Sequence, residues 1–270
     1  MIFIDGNEML EALKNHWREY FCEALGLGAF MVSACVFSVL LFHPAFAADW
    51  NLQLRFVLIG LAMGLTAVAI FLSPFGKLSG AHINPAVTLT FWRLGKIKTA
   101  DAIFYALFQF IGASAGVFLS WLILGDWLAN GNVNFAVTLP DKNGAIVSFI
   151  AEFIISFGMM LIVLITSNHA CLSRFTPYFA GFLVALYISL EAPVSGMSMN
   201  PARSFGSAIV ANRWNSIWIY FIAPPLAMLA AAEVYVRVKG LRNVFCAKFY
   251  HYGAARCIFN CDFKSRGCAA

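Results

Sequence analysis

A chain of 270 residues with 61% hydrophobic and only 11% charged residues has too few charges to coat a soluble globule, where about 25% of residues are charged. Its net charge of +5 is scattered between apolar segments and forms no basic stripe of the kind that binds nucleic acid. What remains is a protein whose surface faces lipid.

Six apolar segments approach the roughly 20 residues that a helix needs to cross a bilayer. They lie near residues 19–42, 52–74, 101–124, 145–166, 176–194 and 216–238. The first deserves a test as a signal peptide, because Lys14 and Arg18 precede it and Ala45-Phe46-Ala47 follows. Its apolar run from Ala24 to Phe42 exceeds the usual signal core of about 7–15 residues, so it is read as a retained membrane helix.

Two shorter apolar stretches follow Asn84, to about Leu94, and Asn200, to about Val210. At about 1.5 Å per residue each reaches roughly half-way through a bilayer. Such half-helices are tolerated where their ends are buried in protein or line a watery cavity.

Orientation follows from lysine and arginine placement. With six spans the termini share one side, and of the 18 basic residues only Arg55, Lys142, Arg203 and Arg213 fall opposite. Both termini are therefore expected in the cytoplasm, and the chain in a plasma (inner) membrane.

The chain also repeats. Glu23 in the first span and Glu152 in the fourth are each followed, two segments later, by Asn-Pro-Ala opening a half-length stretch. Three spans separate the copies, so the second half must enter the membrane upside down. Inverted repeats with broken helices mark transporters and channels, with the site at the repeat interface.

The first triplet, Asn84-Pro85-Ala86, sits in Ser79-Gly80-Ala81-His82-Ile83-Asn84-Pro85-Ala86-Val87-Thr88. The second, Asn200-Pro201-Ala202, sits in Ser195-Gly196-Met197-Ser198-Met199-Asn200-Pro201-Ala202-Arg203-Ser204. Asn is a good helix N-cap and Pro fits the first helical position. Each half-helix aims its positive dipole end at its Asn. Halves entering from opposite faces bring both ends together at mid-membrane, where the amide NH₂ groups can donate to a passing oxygen and the field opposes cations and protons.

One such triplet says little, but two in matching positions of two apolar halves resemble the aquaporin and glycerol-facilitator family, over roughly residues 19–240. That resemblance implies an all-α membrane protein with six transmembrane helices and two re-entrant half-helices in a right-handed inverted-repeat bundle. The channel domain would cover residues 1–240, with repeats at about 19–124 and 145–238. It further implies a homotetramer of passive channels in the lipid bilayer, each passing water or small uncharged solutes. Asn84 and Asn200 would be the central pore asparagines. Arg203 would belong to the selectivity filter, Glu23 and Glu152 would buttress the re-entrant loops, and His82 would line the pore on the cytoplasmic side. Gln109 would be a packing or loop contact.

The other filter positions fall on Ile188, Met197 and, on span two, Met63 or Gly64; Met63 is preferred after allowing for an extra residue in Ser73-Pro74-Phe75-Gly76-Lys77. Met63, Ile188, Met197 and Arg203 lack both the polar pair of strict water pores and the aromatic wedge of glycerol facilitators. Ser204, Ala208 and Tyr220-Phe221 follow the water-channel pattern, and a glycerol or other small-solute facilitator stays open as the alternative.

An enzyme finds no support, since the five histidines show no paired-ligand spacing in the membrane segments. An ion-coupled transporter would need a chain of buried carboxylates that the pore segments lack. Gly26-Leu27-Gly28, inside a span, reads as helix packing.

Seven cysteines remain. Cys22, Cys35 and Cys171 lie in or beside apolar segments, where Cys acts as a small hydrophobe. Residues 241–270 form a Cys-containing cytoplasmic tail. In it Cys246, His251, Cys257 and Cys261, spaced C-x₄-H-x₅-C-x₃-C, have the donor set of a closed Cys₃His zinc site. The competing reading is a disordered tail with free, reduced thiols and no cofactor.

Overall fold

The structure is a computed structural model that describes residues 5–142, 144–252 and 255–263. Among them six helices are long and apolar enough to cross a membrane. The spans are α1 (Gly6–Phe42), α2 (Leu52–Leu72), α4 (Thr99–Leu124), α5 (Ala145–Ser167), α6 (Thr176–Ser195) and α8 (Trp218–Lys239); between them lie the half-helices α3 (Pro85–Arg93) and α7 (Pro201–Ala211). Among the described residues no strand forms.

The ends agree with the hydropathy reading except at α1, which starts at Gly6 rather than near residue 19. Asp5 caps it, accepting a hydrogen bond from the Asn7 N–H at 3.2 Å, and good helix formers such as Glu8, Leu10, Glu11 and Lys14 carry it on. Hydropathy is blind to that stretch because it is polar.

The packing repeats with the sequence. α1 lies chiefly on α4 and α5 on α8, which are matching pairs of the two repeats; α2 lies on α6, its own counterpart. α7 packs on α4, and α3 on α8. Small residues allow these crossings. A Cβ on Gly112 would stand 2.1 Å from the Ala24 carbonyl oxygen, and one on Gly116 would stand 2.4 Å from that of Gly28. The Gly28 of the sequence analysis is thus a seat for α4. Gly64 has the same role between α2 and α6, where its Cβ would meet the Gly181 carbonyl oxygen at 2.6 Å.

Large apolar side chains point outward along the spans, among them Leu65, Ile123 and Ile146, at 70%, 81% and 75% exposed. Such a belt is stable against lipid or a neighbouring subunit and unstable against water.

Candidate functional site

Each half-helix is entered through a loop of unusual backbone. Gly80 and Gly196 are left-handed, and so are Ala81 with Ile83 in the first loop and Met197 with Met199 in the second. Side chains other than glycine tolerate that region only where the surroundings over-determine it. Here two buried carboxylates do so. Glu23 accepts from the His82 N–H at 3.0 Å and the Ile83 N–H at 2.6 Å. Glu152 accepts from the Ser198 N–H at 2.7 Å and the Met199 N–H at 2.8 Å. Gln109 donates to Glu23 at 2.7 Å and the Ser195 hydroxyl to Glu152 at 2.8 Å.

Both loops end on an asparagine with extended backbone whose side chain caps the half-helix. Asn84 accepts from the Ala86 N–H at 2.9 Å; Asn200 accepts from those of Ala202 and Arg203 at 3.0 and 3.3 Å. The amide nitrogens then cross between repeats. Asn84 donates to the Met199 carbonyl and Asn200 to the Ile83 carbonyl, both at 2.7 Å. An amide NH₂ has two hydrogens, so each asparagine uses one on the opposite loop and keeps one.

Both asparagines border a cavity of about 530 Å³, as do Met63, Ile188, Met197 and Arg203. Gly64 does not border it. Arg203 is held by its Nη1, which donates to the Ala136 carbonyl at 2.7 Å. That carbonyl belongs to a loop the sequence did not single out. Asn134, Phe135 and Ala136 are all left-handed, and the Thr138 hydroxyl donates to Ser204 at 2.8 Å. Three consecutive non-glycine residues in that region leave no composition signal, so the segment reads as an ordinary connection.

His82 also borders the cavity, but its ring is occupied. Nδ1 pairs with the Thr88 hydroxyl at 3.0 Å and Nε2 with the Ala247 carbonyl at 2.9 Å. The sequence reading places His82 on the pore; both of its ring nitrogens have partners, and because residue 247 lies in the tail, the tail reaches the edge of the cavity.

Within residues 241–263 the described tail packs on the bundle, which removes the disordered reading for that part. The Phe249 N–H donates to the Gly80 carbonyl at 3.2 Å and the Asn260 N–H to the Lys96 carbonyl at 3.0 Å. Lys248 Nζ donates to the Lys77 and Arg256 carbonyls at 2.8 and 2.6 Å. Arg256 pairs with buried Glu19 at 2.6 Å. Cys246, His251, Cys257 and Cys261 converge, with their four ligand atoms all within 4.8 Å of one another. His251 Nε2 stands 3.0 Å from Cys261 Sγ, and the Sγ atoms of Cys246 and Cys257 are 3.5 Å apart. Hydrogen bonding with Cys257 pushes the Cys246 thiol up, while bonds from Cys246 and Cys257 pull Cys261 down. Burial pulls Lys248 below the ordinary lysine range, and the neighbouring sulfurs of Cys257 and Cys246 oppose it. Cys268 lies outside the described residues.

Two re-entrant helices that meet by their capping asparagines inside an inverted six-span bundle define a membrane fold with its site at the repeat interface. The chain belongs to the major intrinsic protein family, whose model matches residues 9–235. It is similar to Aquaporin NIP1-2 of Arabidopsis thaliana, with 32% identity over 185 residues, 67% of this chain and 62% of the relative. It thus spans less than two thirds of that relative's length. It is 30% identical to Aquaporin-4 of Mus musculus over 246 residues, 88% of this chain and 72% of the relative. Its fold resembles the X-ray structure of the aquaglyceroporin from Plasmodium falciparum, with a TM-score of 0.68 at 20% identity, covering 83% of this chain and 97% of the other.

Proposed function

We propose that the chain is a passive, non-enzymatic transmembrane channel for water and small uncharged solutes that excludes ions and protons. One observation carries this: the two capping asparagines and the Arg203 guanidinium share a single cavity. Water passing in file meets an amide donor from each half, and the two positive helix ends oppose a proton there. Arg203 supplies donors for desolvation and a charge against cations. Met63, Ile188 and Met197 make the remaining filter apolar. Methionine side chains are flexible enough to give way, which suits ammonia or hydrogen peroxide as further permeants.

The aquaporin names of the relatives support the same substrate class. The lysine and arginine bias favours cytoplasmic termini in a plasma membrane. Four such chains in a homotetramer, each with its own pore, would cover part of the exposed apolar belt.

The test is stopped-flow swelling of proteoliposomes with no ion gradient, with internal pH followed in parallel. Water permeability well above that of empty vesicles, without matching acidification, is expected. Swelling that needs an ion gradient would replace the channel with a coupled transporter, and vesicles that acidify as they swell would remove proton exclusion.

A further inference from the structure

The four converging side chains of the tail alternate along the chain with aromatic residues, Phe249 and Phe259 among them. We propose that Cys246, His251, Cys257 and Cys261 bind one zinc ion, and that the tail so clasped is a plug closing the cytoplasmic mouth of the pore. The plug rests on the channel reading; the metal site does not.

The donor set fits zinc. Three sulfurs and one imidazole nitrogen suit a tetrahedral ion with bonds of about 2.3 and 2.0 Å, which puts ligand atoms roughly 3.5–3.8 Å apart. The 3.0 and 3.5 Å separations lie somewhat inside those distances, and pairs out to the 4.8 Å limit would close by up to about 1 Å around the ion. Three thiolates and a divalent ion leave one negative charge, and the Lys248 side chain is buried two residues along the chain from Cys246. The ring of His251 is steadied by stacking on Phe263, with centroids 4.5 Å apart.

The tail also needs such a clasp. Among its described residues the tail forms a 3₁₀ turn, Leu241–Asn243, and little other regular structure. A long segment with little secondary structure holds one shape when something cross-links it. The ligands are spaced so that the cross-link ties both strands of the loop.

What the clasp holds is a pair of rings. Cys246 and His251 bracket Phe249; Cys257 and Cys261 bracket Phe259. Phe249 packs on Phe71 of α2 at 5.2 Å and borders the same cavity as the asparagines and Arg203. Phe259 stacks on His82 at 5.4 Å with planes 12° apart. A Cβ on Gly80 would stand 2.8 Å from the Phe259 ring, so the loop is shaped to receive it. With Ala247 on its Nε2 and Thr88 on its Nδ1, His82 has no ring nitrogen left for a permeating water. The clasped tail therefore fills the mouth and silences its polar side chain. Removing the ion frees both.

The experiment uses the full chain, purified without chelator, then assayed for metal and reconstituted. Stripped protein is prepared with a chelator in detergent, so that the tail is accessible, and half is reloaded with zinc. We expect one zinc per chain as purified or reloaded, and a several-fold rise in osmotic permeability on stripping that reloading reverses. Cys257→Ser/Cys261→Ser should bind no zinc and stay permeable with zinc present. Phe249→Ala keeps all four ligands and should hold zinc yet conduct, so the idea stays testable if the double variant fails to fold. Far less than one zinc per chain after reloading, or another metal in its place, overturns the site. Zinc-loaded and stripped channels that swell equally fast overturn the plug and leave the channel reading intact. If reloaded protein and Phe249→Ala both hold zinc as expected, yet neither stripped protein nor Phe249→Ala swells faster than empty vesicles, the channel reading fails and the plug falls with it.

Discussion

The side-chain nitrogen of Asn84 donates to the carbonyl oxygen of Met199 at 2.7 Å, so the cap of one half-helix is tied to the loop that precedes the other. Asn200 returns the bond through Ile83. The pore asparagines are thus also the bolts between repeats. Asn84→Asp would exchange the donating NH₂ for an acceptor facing a carbonyl oxygen. One buried carbonyl would lose its partner, at about 1–3 kcal/mol, with repulsion added. The expected result is a lower melting temperature in detergent together with lost water permeability. A variant that conducts normally at unchanged melting temperature would show that the bond between the repeats is dispensable.

Glu152 is the buried carboxylate of the second loop. It takes the N–H groups of Ser198 and Met199 and the Ser195 hydroxyl, while Glu23 takes His82, Ile83 and the Gln109 amide. Glu152→Ala leaves two buried N–H groups without an acceptor, at about 1–3 kcal/mol each, on backbone already in the left-handed region. Folded yield and melting temperature should both fall. Glu152→Gln should fall between the two, since it keeps one accepting oxygen but turns an NH₂ toward an N–H. A proton-relay role would instead leave stability of the Gln variant intact and change only a proton flux.

The parts of this molecule that were legible from the sequence are those governed by local chemistry. Hydropathy marks the spans because lipid imposes one length on every helix, and Asn-Pro marks α3 and α7 because cap and first turn are adjacent in the chain. The N-terminal start of α1 was not legible, since residues 6–18 mix polar and apolar side chains and hydropathy answers only to the membrane. The hold of Ala136 on Arg203 was hidden for another reason: the loop adopts left-handed backbone with ordinary residues. The occupation of His82 by Ala247 joins segments far apart in the chain, and no spacing encodes such a contact. The C-x₄-H-x₅-C-x₃-C pattern named the four tail ligands but said nothing of where the tail lies.

Close helix crossings supply a prediction that does not depend on transport. Gly112 sits on α1 so tightly that an added Cβ would fall 2.1 Å from the Ala24 carbonyl oxygen, a rigid backbone atom that cannot step aside. Gly112→Val should therefore force α4 away from α1 and break folding, seen as aggregation on size-exclusion chromatography in mild detergent. Gly95→Ala meets nothing within 4 Å and serves as the control; its left-handed backbone should cost it about 1–2 kcal/mol. Equal behaviour of the two would mean that the α1–α4 crossing is looser than its geometry implies.

The filter gives the sharpest functional test. Met63, Ile188, Met197 and Arg203 all border the cavity, and in the filter proposed from them three of the four side chains offer no strong hydrogen bond. A permeant losing its water shell there is compensated by Arg203 alone, and water, which makes the most hydrogen bonds for its size, is least favoured relative to less polar solutes. Ile188→His adds a donor and acceptor on α6 and narrows the apolar opening. Recovering one hydrogen bond lost on entry is worth about 0.5–1.5 kcal/mol, or roughly two- to ten-fold in relative permeability. The ratio of ammonia or peroxide permeability to water permeability should fall by that factor, with the channel otherwise folded. The same substitution at Leu65, a lipid-facing residue that is 70% exposed, should leave the ratio unchanged. A ratio indifferent to residue 188, measured on protein that still conducts water, would place selection elsewhere along the pore, with the tail-capped mouth around His82 and Phe249 the next constriction to test.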